Sequence, residues 1–100
     1  MTHTIRIDLP LEKISEICRR YSVAELAVFG SAARGELGPE SDLDILVEFQ
    51  PGVTWGLEYF SLEQELAEAV GRRVDLATKK WLRPEVRSSI LRDALLVYAA

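Results

Sequence analysis

Two aspartates at the start of a strand-like apolar segment constrain this chain more than any other sequence feature. Over residues 42–49 the side chains alternate, with one face taken by Leu43, Ile45, Val47 and Phe49 and the other begun by Asp42 and Asp44. Alternation with a period of two predicts a β-strand that buries its apolar face, so both carboxylates leave the opposite face together. Because aspartate is disfavoured in strands, this pair favours a bound ligand over a harmless solvated strand face.

The charge of Asp42 and Asp44 indicates what that ligand is. Two carboxylates about 4 Å apart repel by roughly 4 kcal/mol at an effective dielectric of about 20, and a divalent cation removes that cost. Sites built from oxygen ligands alone suit Mg²⁺ or Mn²⁺, with substrate phosphates completing the coordination shell. We therefore predict that Asp42 and Asp44 are metal ligands.

A Gly-Ser turn precedes this strand. Residues 26–29 form an apolar run of strand type that ends at Gly30, and residues 31–34 favour a helix before Gly35 stops it. A helix N-terminus has unpaired N–H groups, so this turn can hold phosphate oxygens, while glycine lets the backbone come close and the Ser31 hydroxyl adds a donor. Taken alone, the turn is also compatible with an ordinary connection from strand to helix.

A third acid follows on another short strand. Residues 73–77 place Val74 and Leu76 on the core side and Asp75 on the opposite side. If this strand lies beside the one that carries Asp44, three carboxylates meet, which is enough for two metals about 3.5 to 4 Å apart. An exposed acid on a surface strand is the alternative for Asp75, and a position on the reverse side of the sheet would exclude the three-carboxylate site.

The rest of the chain predicts a scaffold of helices around the strands. Helices are expected over residues 10–21, over residues 56–70 with Gly71 as the stop, and from Pro84 onward, where residues 95–98 either finish that helix or add an edge strand. The expected fold is α/β (α+β), a small mixed β-sheet flanked by helices in one domain over residues 1–100. On the second helix, Glu58, Glu65 and Glu68 indicate a solvated face, and Glu63 falls within the apolar arc.

Length and charge restrict the acceptor that such a site can serve. One hundred residues with 48% hydrophobic content make one compact domain with no room for a second lobe, so a partner protein is expected to present the acceptor. A net charge of −4 argues against direct nucleic-acid binding. No apolar run approaches membrane length and no signal-like segment opens the chain, which predicts a cytoplasmic protein. A lone cysteine, Cys18, predicts a buried structural thiol.

The segments 30–35 and 41–47 together resemble the signature of the DNA polymerase beta-type nucleotidyltransferase superfamily. Within it, the short chain, the Ala-Arg-Gly after Ser31 and the later Val74-Asp75-Leu76 resemble the minimal nucleotidyltransferases (MNT), the antitoxin halves of HEPN/MNT toxin-antitoxin pairs. The resemblance extends over residues 26–77 and, less specifically, over residues 82–98.

This resemblance implies an activity and a partner. ATP with Mg²⁺ would be the cosubstrate, and AMP would pass to a tyrosine hydroxyl of a HEPN-family ribonuclease toxin, with which the chain would form a hetero-oligomer. Gly30 and Ser31 would grip the triphosphate, Asp42 and Asp44 would bind the metals, and Asp75, a further metal ligand, would help to activate the hydroxyl. Two alternatives remain: an antitoxin that inhibits by binding alone, and a small-molecule adenylyltransferase that acts with a separate helical subunit.

Several side chains keep two possible roles at this point. Arg34 either contacts a phosphate or pairs with a nearby carboxylate, and Ser41 is expected to shape the turn that leads into the aspartate strand. Trp55 and Trp81 either pack at the edge of the core or stack on adenine or meet a partner. Glu63 either contacts a partner or extends to solvent.

Overall fold

The computed structural model describes residues 9–36, 38, 40–53, 56–79 and 82–100. The elements along the chain are α1 (Leu11–Arg20), β1 (Val23–Phe29), β2 (Leu43–Phe49), α2 (Leu57–Val70), β3 (Val74–Thr78), α3 (Pro84–Asp93) and β4 (Leu95–Ala99). This is the predicted order. Trp55 and Trp81, whose roles the sequence left open, lie outside the described residues.

The four strands form one mixed sheet in the order β3-β2-β1-β4. β1 runs antiparallel to both β2 and β4, whereas β2 and β3 are parallel. The segment after α3 becomes an edge strand, with Leu95 opposite Val28 and Tyr98 opposite Leu26. The free edge of β1 therefore decides between the two conformations that the sequence had left open for this segment.

Helices α1 and α2 cover one face of the sheet. The core contains helix residues Ile14, Ile17, Cys18, Tyr59, Leu62 and Leu66, and strand residues Val23, Leu26, Val28, Leu43, Ile45, Val47 and Leu76. Leu43, Ile45 and Val47 of β2 are thus buried as predicted, and Phe49 is partly buried against the same core. Cys18 is also buried, and burial raises the pKa of its thiol to about 11. Helix α3, by contrast, buries none of its side chains fully.

A polar link joins the two packed helices. Arg20 of α1 lies 2.6 Å from a carboxylate oxygen of Glu65 on α2, and the Tyr21 hydroxyl donates a hydrogen bond to the same carboxylate. Glu65 stays partly exposed, as expected for the solvated face that it shares with Glu58 and Glu68, but it also binds two residues of the neighbouring segment. Its partners lie more than forty positions away in the chain, so helical periodicity could not reveal them.

The predicted helix after Ser31 does not form, and residues 31–35 make turns instead. The Arg34 N–H donates to the Gly30 carbonyl at 3.2 Å and the Glu36 N–H donates to the Ser31 carbonyl at 2.8 Å. Gly35 has a φ of 73°, a left-handed conformation that ends a helix after a single turn. The good helix formers before it are too few to overcome the cost of nucleation.

Across the described ranges, no helix combines the length and the apolar character that crossing a bilayer requires.

Candidate functional site

Asp44 and Asp75 are direct neighbours on the sheet face opposite α1 and α2. In the parallel pairing of β2 with β3, Asp44 is the register partner of Asp75, between the core pairs Leu43 with Val74 and Ile45 with Leu76. Register partners point to the same face of a sheet, so the two carboxylates leave together. Asp42 stands two positions before Asp44, at the approach to β2. Asp75 therefore shares a side of the sheet with Asp44, whereas Asp42 lies just before β2 and not on the strand, contrary to the prediction that both aspartates leave one strand face.

The charge on this face is incompletely compensated. Burial raises the pKa of Asp44 above its ordinary value, and the carboxylates of Asp75 and then Asp42 raise it further, while the Arg34 guanidinium acts in the opposite direction. Carboxylates that raise one another's pKa are typical of groups that bind a ligand. This face of the sheet therefore favours the binding of a cation.

Asp42 has a cation of its own. The Arg73 Nε lies 3.1 Å from Asp42 Oδ1, and the two side chains are 82% and 47% exposed. Ion pairs that are this exposed contribute little to stability, at most about 1 kcal/mol. Arg73 therefore neutralises Asp42 without fixing it strongly. The sequence showed Arg73 as a local positive charge but gave no sign of this partner.

The turn after β1 lies directly against Asp44. Gly30 has a φ of 66°, and a Cβ atom placed on it would lie 2.5 Å from Asp44 Oδ2. Only glycine accepts both the left-handed backbone and this close approach. Phe29, the residue before it, is the cross-strand partner of Asp44. The Gly30-Ser31 turn and the Asp44 carboxylate therefore lie side by side, and together with Asp42 and Asp75 they form the candidate site.

The chain that leads into Asp42 is held by a second arginine. The Ser41 hydroxyl accepts a hydrogen bond from the Gly38 N–H at 3.1 Å, which confirms the predicted role of Ser41 in shaping the turn. Arg72 Nη1 donates to the carbonyl oxygens of Gly38 at 2.9 Å and of Ser41 at 3.0 Å. Arg72 thus fixes the backbone immediately before the first aspartate. Sequence reasoning did not identify this role, because the contact spans more than thirty residues.

Arg34 takes the second of its two possible roles. Its Nε lies 3.2 Å from Glu36 Oε2, and both side chains are at least half exposed. The guanidinium is also close enough to Asp44 to lower the pKa of that carboxyl. Arg34 is therefore a cation near Asp44 that pairs with the Glu36 carboxylate in this structure.

The donor set suits a hard divalent cation. The three aspartates offer oxygen ligands alone, and the raised pKa of Asp44 reports negative charge that a Mg²⁺ or Mn²⁺ ion would offset. Among the residues that the structure describes, no three carboxylate, imidazole or thiol groups already stand close enough to hold a metal. Asp42 is the member turned toward Arg73. The residues fit a divalent ion in their chemistry, provided that Asp42 leaves Arg73 to join Asp44 and Asp75.

Comparison with known proteins places this arrangement in a family. Residues 11–97 match the sequence profile of the Nucleotidyltransferase domain family. A protein from Thermococcus cleftensis named protein adenylyltransferase MntA is 39% identical over 82 residues, which cover 82% of this chain and 82% of that protein. A solved structure described as a candidate minimal nucleotidyltransferase is 39% identical, with a TM-score of 0.73 over 85% of this chain and 86% of that one.

Two solved toxin-antitoxin complexes share the fold at lower identity. A complex with AMP-PNP matches with a TM-score of 0.74 at 22% identity, over 92% of this chain and 75% of that one. A complex of a tri-AMPylated Shewanella oneidensis HEPN toxin with its MNT antitoxin matches with a TM-score of 0.64 at 20% identity, over 90% and 70%. The chain therefore belongs to the Nucleotidyltransferase domain family, and its relatives there include minimal nucleotidyltransferases and a named protein adenylyltransferase.

Proposed function

We propose that this chain is a Mg²⁺-dependent protein adenylyltransferase that moves AMP from ATP to a tyrosine hydroxyl of a HEPN-family toxin and thereby neutralises the toxin. The observation that carries the proposal is the contact of the Gly30 turn with Asp44, whose register partner is Asp75. A glycine turn whose backbone a phosphate can approach closely, next to carboxylates that can bind a metal, is the arrangement that nucleotidyl transfer requires.

The Gly30 turn and the three aspartates have separate roles in the proposed reaction. The tyrosine oxygen attacks the α-phosphorus of ATP, a new O–P bond forms, the bond from the α-phosphorus to the bridging oxygen breaks, and pyrophosphate leaves. Gly30 and Ser31 hold the triphosphate during this displacement. Asp42, Asp44 and Asp75 would hold Mg²⁺, which would neutralise charge on the phosphates.

The proton of the attacking hydroxyl is assigned to Asp75. Asp75 is exposed on the edge strand β3, whereas Asp44 is partly buried on the inner strand β2. A tyrosine presented by another protein therefore reaches the Asp75 carboxylate first. A base within hydrogen-bonding reach of the nucleophile is the geometry that general base catalysis needs.

The partner assignment has independent support. The related Thermococcus cleftensis protein is named protein adenylyltransferase, and a complex of the same fold holds a tri-AMPylated HEPN toxin. Exposed apolar side chains on α3 and β4, namely Val86, Leu91 and Leu96, offer this chain a surface for another protein. We propose a hetero-oligomer with the toxin, in which residues 1–100 act as one domain and the toxin supplies the acceptor.

A second candidate function is inhibition by binding alone. It is favoured by the Arg73–Asp42 ion pair, since a carboxylate that stays bound to arginine does not bind a metal. In that case the same apolar surface would cover the toxin, and nucleotide would bind without reacting or not at all.

One experiment separates the two functions. The protein is incubated with Mg²⁺, α-labelled ATP and its HEPN-family toxin, alongside the Asp42→Asn/Asp44→Asn variant and an exposed control, Glu68→Gln. The proposal predicts label on the toxin with wild type and Glu68→Gln and none with the double variant. Toxin that is neutralised equally by all three proteins without any label would select inhibition by binding. Competition by the four nucleoside triphosphates identifies the preferred base.

A further inference from the structure

The strand that carries Asp75 is the weakest part of the site's framework. β3 has five residues, lies at the edge of the sheet and pairs with β2 alone. A slip of one residue along a strand moves every side chain by about 3.3 Å and turns it to the other face. Asp75 stays opposite Asp44 only if something besides this short pairing fixes β3.

Two side chains of helix α2 form hydrogen bonds with the backbone of Leu76, the residue next to Asp75 on β3. The Leu76 N–H donates to Glu63 Oε2 at 2.9 Å, and the Leu76 carbonyl accepts a hydrogen bond from the Tyr59 hydroxyl. Tyr59 and Glu63 are four residues apart on α2 and therefore lie on the same side of the helix. Because both the N–H and the carbonyl of Leu76 are hydrogen-bonded to α2, Tyr59 and Glu63 together fix the position of the Leu76 backbone. This contact also accounts for an acid within the apolar arc of α2.

Covering a strand edge does not by itself require a carboxylate. Glu63 is partly buried, and burying a charged group costs free energy. An apolar helix face or a lysine-rich edge would cover the strand without that cost. The placement of the two polar groups on Leu76, the immediate neighbour of Asp75, indicates a more specific task.

We propose that Tyr59 and Glu63 are positioning residues that hold Asp75 opposite Asp44, an inference that rests on the proposed metal-dependent transfer. In this proposal neither side chain has a role in binding the nucleotide or the acceptor, and both contact the Leu76 backbone. They hold the Leu76 backbone in place, and this fixes the position of the adjacent Asp75 carboxylate.

Substitutions at Glu63 test this role by chemistry rather than by size. Glu63→Ala removes the acceptor of the Leu76 N–H, and Glu63→Gln retains an amide oxygen that can replace it. Glu68→Ala, on the exposed side of the same helix, is the matched control. We measure Mn²⁺ binding to the free protein by electron paramagnetic resonance, together with kcat and the KM for ATP in toxin labelling.

The expected pattern is selective. Glu63→Ala weakens Mn²⁺ binding and lowers kcat by about tenfold each, the scale of one lost buried hydrogen bond, and leaves the KM for ATP unchanged because the Gly30 turn is untouched. Glu63→Gln and Glu68→Ala match wild type. Tyr59→Phe, which keeps the ring, gives a smaller loss in the same two quantities. Amide exchange of Leu76 quickens in Glu63→Ala and not in Glu63→Gln.

Other outcomes overturn the inference. Glu63→Ala with quickened Leu76 exchange but wild-type Mn²⁺ affinity and kcat would show that the contact does not position Asp75. A Glu63→Gln variant as defective as Glu63→Ala would exclude the hydrogen bond as the cause. Wild-type protein that binds Mn²⁺ but labels no toxin contradicts the proposed function and leaves the Mn²⁺ comparison to decide the positioning role. Wild-type protein that binds no Mn²⁺ overturns both.

Discussion

The two faces of the sheet differ in what their side chains do. On one face, α1 and α2 bury the apolar side of β2, where Leu43 and Val47 are fully inaccessible. On the other, Asp44 meets Asp75 next to the Gly30 turn, and burial and then repulsion by Asp75 raise the pKa of Asp44. β2 therefore places apolar side chains in the core and the proposed metal ligand Asp44 on the opposite face. Substitutions on the two faces should separate loss of fold from loss of function.

The largest expected effect lies on the carboxylate face. Asp75→Asn removes the proposed proton acceptor and a metal ligand, and should lower kcat for toxin labelling by about 10²- to 10⁴-fold. The urea midpoint should stay at the wild-type value or rise, because Asp75 is exposed and repels Asp44. A loss of labelling that merely follows a loss of folded protein would erase the distinction between the faces.

The next effect belongs to the packed face. Leu66→Ala should reduce the free energy of unfolding by about 2 to 5 kcal/mol, because the residue is fully buried between α2 and the sheet. Leu57→Ala on the same helix, at a side chain that is 82% exposed, is the control and should change stability little. Urea unfolding followed by circular dichroism measures both. Equal losses in the two variants would contradict the assigned core.

The sequence predicted these two faces because both follow from local alternation. Period two placed Asp44 and Asp75 on one face and Leu43 and Leu76 on the other, and the order of elements was correct through α3, with the last segment left open between helix and strand. Contacts between distant residues were not predictable: Glu63 with Leu76, Arg72 with Gly38 and Arg73 with Asp42 depend on how elements pack. The helix expected after Ser31 does not form, because the segment between Gly30 and Gly35 is too short for its helix propensity to offset the cost of nucleation.

A comparison of two glycines tests whether the Gly30 turn is part of the site. Gly30 and Gly52 both have a left-handed φ, of 66° and 84°, but a Cβ on Gly30 would meet Asp44 Oδ2, whereas one on Gly52 meets nothing within 4 Å. Each alanine substitution should cost about 1 to 2 kcal/mol of stability from backbone strain. Only Gly30→Ala should also abolish labelling and ATP binding, measured by titration calorimetry. Equal activity in the two variants would show that the turn does not border the site.

A smaller effect concerns pH. Burial and the Asp75 carboxylate raise the folded-state pKa of Asp44 above its ordinary value, so near those two pKa values the folded state binds this proton more tightly than the unfolded chain. The contribution of Asp44 to stability therefore increases as the pH falls through the raised pKa toward the ordinary value, and is constant below it. Urea midpoints against pH should show this component in wild type and lack it in Asp44→Asn. Parallel curves for the two proteins would contradict the assigned repulsion.

The smallest expected effect is at Arg73. Because its ion pair with Asp42 is exposed, Arg73→Ala should tighten Mn²⁺ binding by only about twofold to fivefold. Lys13→Ala, an exposed cation on α1, is the control for general charge. Weaker Mn²⁺ binding in Arg73→Ala than in the control would mean that Arg73 supports the site rather than competing for Asp42.

The central claim, that the Gly30 turn and the three carboxylates form one site, is tested most directly by crystals grown with Mn²⁺ and a non-hydrolysable ATP analogue. We expect an anomalous Mn²⁺ peak within bonding distance of oxygens of Asp44 and Asp75, with Asp42 released from Arg73 and the triphosphate against Gly30 and Ser31. Ordered nucleotide with its phosphates elsewhere, or a metal that contacts none of the three aspartates, would contradict it.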